Sequence, residues 1–306
     1  VSKPAQQHGL LVLDKPKGPT SAGCLERVKK RLGQRKIGHA GTLDPMASGV
    51  LLVLLGKCTK LAPYMQEGRK VYAGELVLGT ATDTYDMEGE VTGEAAWEHL
   101  EPAQVQDEVA HWRTLTSQIV PPYSAAKHKG QPLYRLSREG KTPPVKEKPV
   151  EIFRAEVLSM DLPRVRFRVE CGSGTYIRSL VHSLGIRLGC GAVLSELIRE
   201  QSHPFSLDRA VGLESLLEEP ERLAERVIPP ADALPHWPAV TLDRRQADQV
   251  RNGAMLEHTP ALSPGAPFAP GLRARFLAPD GALLALVEAR LRDGAPVWAI
   301  LRGLWA

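Results

Sequence analysis

Residues 38–49 hold three glycines, one proline, one histidine and one carboxylate, and the chain then runs straight into residues 50–55, an unbroken apolar stretch that no other in the chain exceeds. Six apolar residues bounded by turn signals read as a buried strand. They fall far short of the roughly twenty that a membrane span needs. The loop ahead of them has two readings. It is either a plain turn, in which Asp44 hydrogen-bonds nearby amides, or a rigid frame that holds Asp44 in the fixed pose a catalytic carboxylate requires.

A chain of 306 residues, at roughly 150 per domain, suggests two domains or one large domain with an appendage. With 43% hydrophobic and 24% charged residues, and no signal-peptide pattern at the start, the expectation is a soluble cytoplasmic protein with a real core. The four cysteines never approach C-x-x-C spacing, and the nine histidines are scattered singly. Neither a disulfide framework nor a structural metal is expected.

Net charge is only +4, but it is unevenly placed. Residues 1–40 carry nine Lys/Arg against two acids, residues 125–150 carry seven against two, and acids gather in 214–232. Each basic run alone could be a solvated face. Two of them meeting in space would make a groove for nucleic acid.

Hydrophobic spacing and turn residues predict strands at 9–14, 50–55 and 69–78, a strand pair at 150–158 and 164–171, and short strands at 273–277, 283–289 and 297–302. Helices are predicted from a Pro19-Thr20-Ser21 cap to about Leu32, near 58–66, over 94–112, 174–188 and 192–199, and at 244–252. Four prolines within 228–239 mark a linker, since proline at that density continues neither a helix nor a central strand. Rival chemistries leave no comparable trace. A P-loop and G-x-S-x-G are absent, Gly172-Ser173-Gly174 lacks a third glycine at dinucleotide-binding spacing, and no Cys–His pair stands out.

GHAGTLDPMASGVL (38–51) resembles the signature of the TruB family of tRNA pseudouridine synthases, whose catalytic aspartate lies in G-T-L-D-P. LDKPKGPTS (13–21), Lys70-Val71-Tyr72, QIVPPYSAAKHKGQPLYRLSREG (118–140), CGSGTYIRSL (171–180) and GCGAVLSELIREQSHPF (189–205) match further family blocks, in family order. Ile198 departs from the pattern, where many relatives carry arginine, at the cost of one RNA contact.

The resemblance implies an α+β fold: a pseudouridine synthase catalytic domain (1–232) with a large mixed, mostly antiparallel sheet and flanking helices. A small, mainly β, PUA-like RNA-binding domain (239–306) follows it. It implies a cofactor-free isomerisation of a T-loop uridine, position 55, of tRNA by base flipping. Carried over residue by residue, Asp44 is the reacting carboxylate, Arg178 its ion-pair partner, and Tyr72 stacks on the flipped uracil and takes its C5 proton. His39 fills the gap left in the T-loop, Leu197 walls the uracil pocket and Tyr176 packs beneath it. Lys15 and Lys127 contact phosphate or brace the loop.

The sparse aromatics, 5% of the chain, suit a protein that reads a folded stem–loop rather than a stretch of single strand. The expected partner is the T-arm of tRNA. No membrane, guide RNA or obligate protein partner is expected, and the protein should be a monomer. The guide-dependent relatives usually carry terminal extensions, whereas here the first block begins at Gly9. The alternative reading is a tRNA-binding or folding chaperone in which catalysis is secondary.

Overall fold

The computed structural model describes residues 6–219, 223–259 and 268–305. The two apolar runs near the start of the chain become neighbours. Gly9–Lys15 pairs antiparallel with Ala47–Leu55, in a register that sets Leu11 opposite Val53 and Lys15 opposite Gly49. Alternate side chains enter two different cores. Leu11, Leu13, Leu51, Val53 and Leu55 face one, and Leu10, Val12, Val50, Leu52 and Leu54 face the other. Both sides of these strands are covered, so neither run shows polar alternation.

Around this pair the described residues build a nine-stranded sheet. Its order is Ile152–Asp161, Arg164–Cys171, Lys70–Leu78, Ala192–Ser202, Ala47–Leu55, Gly9–Lys15 and Val211–Gly212, with two short strands attached to its middle. The pairings are antiparallel except where Ala192–Ser202 meets Ala47–Leu55 and where Gly9–Lys15 meets Val211–Gly212. This is the mixed, mostly antiparallel sheet expected. Helices Ser21–Leu32, Pro102–His111 and Ile177–Leu188 pack on one face, burying Cys24, Val28, Val105, Leu180 and Leu184 with Phe167 and Leu194.

The Ser21–Leu32 helix has its sequence-predicted ends. The Thr20 side chain accepts a hydrogen bond from Gly23 N at 2.9 Å, and Gly33 closes the helix in the left-handed conformation. Two other helices are shorter than expected. Pro102, whose fixed φ suits a first turn, starts Pro102–His111, behind a capping box between Glu101 and Gln104. The other begins at Ile177, because Gly172-Ser173-Gly174 forms a turn with Gly174 at positive φ.

The helix predicted over 192–199 is not there. Ala192–Ser202 is a central strand between Lys70–Leu78 and Ala47–Leu55. Register shifts between Leu194 and Glu196, and between Arg199 and Gln201, break its two-residue alternation. Buried positions therefore fall at 192–194, 197, 199 and 202, which is not the strict alternation that marks a strand in sequence.

The C-terminal strands form a separate five-stranded sheet in the order Ala239–Thr241, Arg273–Leu277, Leu283–Arg292, Ala295–Gly303 and Leu256–Glu257. The helix Arg244–Arg251 packs on it, capped by Asp243. Leu283, Leu286 and Leu304 of this unit share a core with Leu10, Leu52 and Leu54 of the main sheet. The proline-rich segment between the sheets belongs to that core as well. Ile228 and Leu10 exchange backbone hydrogen bonds at 2.8 Å, while Ala233, Leu234 and Trp237 are buried. Its prolines specify a packed irregular connector rather than a free tether. Among the described residues no helix is long and apolar enough to cross a membrane.

Cys24, Cys58, Cys171 and Cys190 are all free and buried. Burial pushes the Cys58 thiol up to about 12 and the Cys171 thiol up to about 11, and the thiolate is the reactive form. A thiol-reactive chromogen at pH 8 should therefore label none of the four in the native protein and all four after unfolding. Rapid labelling of the native chain would contradict this core.

Candidate active site

The loop that enters Ala47–Leu55 is fixed almost atom by atom. Ser21 Oγ donates to the Leu43 carbonyl and accepts from Leu43 N, both at 2.9 Å. Lys15 Nζ donates to the carbonyls of Ala47 at 2.7 Å, Pro16 at 2.9 Å and Pro45 at 3.4 Å. Arg199 donates through Nη2 to Gly41 O at 3.1 Å and through Nη1 to Thr42 O at 3.4 Å. Gly49 is required where the loop becomes strand: its φ is 101°, and a Cβ there would stand 2.4 Å from Arg199 O. Five loop carbonyls are thus held by three side chains.

That leaves the Asp44 carboxylate facing a cavity of about 380 Å³. Its Oδ2 accepts from Arg178 Nε at 2.9 Å, with the arginine side chain 5% exposed and the aspartate 35%. The rest of the fork is committed. Arg178 Nη1 donates to Thr84 O at 2.8 Å and pairs with Asp86 Oδ2 at 3.4 Å, and Nη2 donates to Tyr123 O at 3.0 Å. Asp86 is fixed in turn, its Oδ1 accepting from Thr84 Oγ1 at 2.6 Å and Glu88 N at 3.1 Å.

Tyr72, Tyr176 and Leu197 line the same cavity, together with Lys70, Lys148 and Arg199. Tyr72 is buried, which pushes its phenol up, while Arg199 pulls it the other way. Tyr176 is positioned through its backbone: its N–H donates to Gln118 Oε1 at 2.7 Å, and Gln118 Nε2 donates back to its carbonyl at 3.4 Å. Burial also raises the Tyr176 phenol.

The other expected site residues are not among those lining the cavity. Lys15 is fully buried, and its three carbonyl acceptors use all three ammonium protons. It braces the loop and has no proton left for a phosphate. Burial pushes its ammonium down. His39 is half-buried on the Ile37–His39 strand, opposite Val53. Burial, and then nearby Arg199, push its imidazole down, which favours the neutral ring. Lys127 pairs through its backbone with Pro132, but its side chain lies outside the described residues.

Arg199 and Gln118 stood inside motifs quoted from the sequence without being given a role. Asp86 had no signal beyond being a carboxylate near a glycine. Among the described residues no group of three or more His, Cys, Asp or Glu is arranged to hold a metal. The arrangement can present one oriented carboxylate, a stacking phenol and an apolar wall to a small flat ligand.

Residues 29–177 match the model of the TruB family pseudouridylate synthase N-terminal domain, and residues 178–234 match that of the tRNA pseudouridylate synthase B C-terminal domain. A tRNA pseudouridine synthase B of Nitratidesulfovibrio vulgaris is 60% identical over 304 residues, covering 99% of this chain and 98% of the relative. One of the same name from Geobacter sulfurreducens is 43% identical, covering 97% and 95%. Among solved structures, the crystal structure of a Cbf5-Nop10-Gar1 complex matches with a TM-score of 0.72 at 25% identity, over 98% of this chain and 85% of the matched one.

Lys70 donates to the Gln66 and Gly68 carbonyls at the cavity floor. Burial, with Arg199 adding, pushes it down to about 8 from 10.5. Between these two values the folded chain has released a proton that the unfolded chain still holds. Stability attributable to Lys70 should therefore rise with pH across that window. The test is the difference between wild type and Lys70→Met in urea melts at pH 7.5, 8.5 and 9.5. It should widen in favour of the wild type as pH rises. A constant difference would contradict the burial of a shifted ammonium.

Proposed function

The chain belongs to the TruB family of pseudouridylate synthases, and from this premise we propose that it converts uridine 55 in the T-loop of tRNA to pseudouridine. The observation that carries the proposal is the Asp44 carboxylate, held by a buried arginine at 2.9 Å and open to a cavity walled by Tyr72 and Leu197. The name shared by relatives 60% identical over nearly the whole chain supports tRNA as the substrate.

The nucleotide flips out of the T-loop into the cavity, and His39 takes its place in the stack. Asp44 is the reacting carboxylate. The N1–C1′ bond breaks, the uracil turns within the pocket, and C5 bonds to C1′. C5 then loses its proton while N1 gains one, so the product is an isomer and no cofactor is consumed. Tyr72 stacks against the base and takes the C5 proton. Leu197 supplies the apolar wall, Tyr176 packs beneath, and Arg178 keeps the carboxylate aimed. Lys127 contacts phosphate from the basic segment 125–150.

In this reading residues 1–232 are the catalytic domain, and residues 239–306 are a PUA-like unit that touches the RNA beyond the T-loop. The protein acts in the cytoplasm as a monomer, without guide RNA or an obligate partner. Its 60% identity to the B-type synthase against 25% to the Cbf5 of a multiprotein complex supports that mode. A chaperone role with catalysis secondary is not favoured, because the Asp44, Arg178 and Tyr72 set is complete.

The test uses purified protein alone and an unmodified tRNA transcript tritiated at uridine C5. Tritium should be released from one uridine per transcript, and release should vanish when uridine 55 is replaced. The Asp44→Asn variant should bind the transcript as wild type does and release nothing. Near wild-type turnover by that variant, or release from another uridine, would overturn the proposal.

A further inference from the structure

Arg199 sits near the middle of the main sheet and is 1% exposed. Tyr72 lies opposite it on the strand to one side, and Gly49 on the strand to the other. Its guanidinium donates to the carbonyls of Val50 at 2.7 Å, Gly41 at 3.1 Å and Thr42 at 3.4 Å. It lines the same cavity as Tyr72, and its charge acts to lower the Tyr72 phenol against the effect of burial. A guanidinium has five N–H donors, so these carbonyls do not exhaust it. Among the described residues no carboxylate pairs with it. A cation buried without a counter-charge is costly, and this one faces the space where the base must react.

Tyr72 has the complementary difficulty. A phenol accepts a proton from carbon only as phenolate, and a buried site disfavours that anion. The groups facing Tyr72 are Asp44 from the loop, Cys171 from the neighbouring Arg164–Cys171 strand and Arg199 from Ala192–Ser202. Lys70 from its own strand, and Lys148 and Tyr176 from other walls, line the same cavity. Asp44 and Cys171 oppose the phenolate, and Arg199 favours it. Arg178 cannot substitute, because its fork is committed to Asp44, Asp86 and the Thr84 and Tyr123 carbonyls.

We propose that Arg199 is a positioning residue for Tyr72, holding the phenol oxygen over the uracil and supplying the positive charge that stabilises its phenolate. The inference rests on the reading that Tyr72 takes the C5 proton. Tyr72 first loses its proton to solvent, with the resulting oxyanion held by Arg199. Once C5 is bonded to C1′, the phenolate oxygen takes the C5 proton. The electron pair of the C5–H bond forms the C5–C6 double bond, and the C6–N1 double-bond pair moves to N1, which takes a proton from solvent. Tyr72 then returns the C5 proton to solvent, which is where C5 tritium appears.

The same guanidinium braces the Asp44 loop, so loss of activity alone is not diagnostic. The diagnostic measurement is single-turnover C5 release from saturating tRNA carrying hydrogen or deuterium at C5, followed across pH 6–9.5. Arg199→Gln should slow release about 10²-fold, the scale of one general-base contribution. It should also raise the C5 isotope effect above that of wild type and move the rising limb of the pH profile to higher pH. Arg199→Lys keeps the charge and loses the fork, and its limb should stay near the wild-type position. A purely structural role would slow earlier steps and leave the isotope effect and the limb unchanged in Arg199→Gln. A displaced limb in an Arg199→Lys variant that melts like wild type would equally overturn the proposal, even if Arg199→Gln does not fold. Tyr72→Phe separates the two layers of the argument. If it releases C5 label at the wild-type rate, the base reading falls and this inference falls with it. If it releases none while Arg199→Gln keeps the wild-type limb and isotope effect, only the role of Arg199 falls.

Discussion

One buried guanidinium ties the site together. Arg178 lies in the first turn of the Ile177–Leu188 helix, where the helix dipole disfavours a cation. It remains there because Asp44 and Asp86 bring negative charge to the same point and two backbone carbonyls take its other protons. Four segments distant in sequence, carrying Asp44, Asp86, Tyr123 and Arg178, are therefore pinned to one guanidinium. Removing one member of such a buried set leaves another charge unpaired, at a typical cost of about 3–5 kcal/mol. Asp86, almost wholly buried, bears most of that constraint. Asp44, a third exposed, keeps a face free for chemistry.

The sheet puts this hub where a ligand can reach it. The parallel contact between Ala192–Ser202 and Ala47–Leu55 sets Leu197 beside Ala47 and Arg199 beside Gly49. Lys70–Leu78 on the other side brings Tyr72 opposite Arg199. Leu197, the Tyr72 phenol and the loop that carries the carboxylate thus come from adjacent strands, and their spacing is fixed by backbone hydrogen bonds. Lys15, Ser21 and Arg199 then hold the loop by its carbonyls. Rigid placement of this kind is what the role proposed for the Asp44 carboxylate requires.

Local signals made part of this legible beforehand. The Thr20 cap and the Gly33 stop define their helix whatever surrounds it, and unbroken apolar runs mark strands buried on both faces. The loop around Asp44 stood out through its glycines, and the family resemblance pointed to Tyr72, Tyr176 and Leu197, which line the cavity, and to Arg178, which pairs with Asp44. What escaped was whatever depends on partners far away in sequence. The bulges in Ala192–Ser202 break the alternation of buried and exposed positions, so periodicity alone does not mark it as a strand. Lys15 is open to two readings, a phosphate contact or a brace for the loop, until three carbonyls are seen around it. Asp86 and Arg199 acquire meaning only once the groups they touch are known, and the prolines of 228–239 suggest a tether although that segment is packed into the core.

The central claim is that catalysis depends on the geometry of the Arg178 fork as well as on its charge. The most direct measurement is the single-turnover rate of C5 tritium release by Arg178→Lys at saturating tRNA, with tRNA affinity and thermal stability taken on the same preparation. Lysine keeps the positive charge but cannot hold Asp44, Asp86 and two carbonyls at once. A fall of about 10²-fold in rate, the scale of an ångström misplacement, with affinity retained, is the predicted result. A folded Arg178→Lys variant that releases tritium at the wild-type rate would contradict the account.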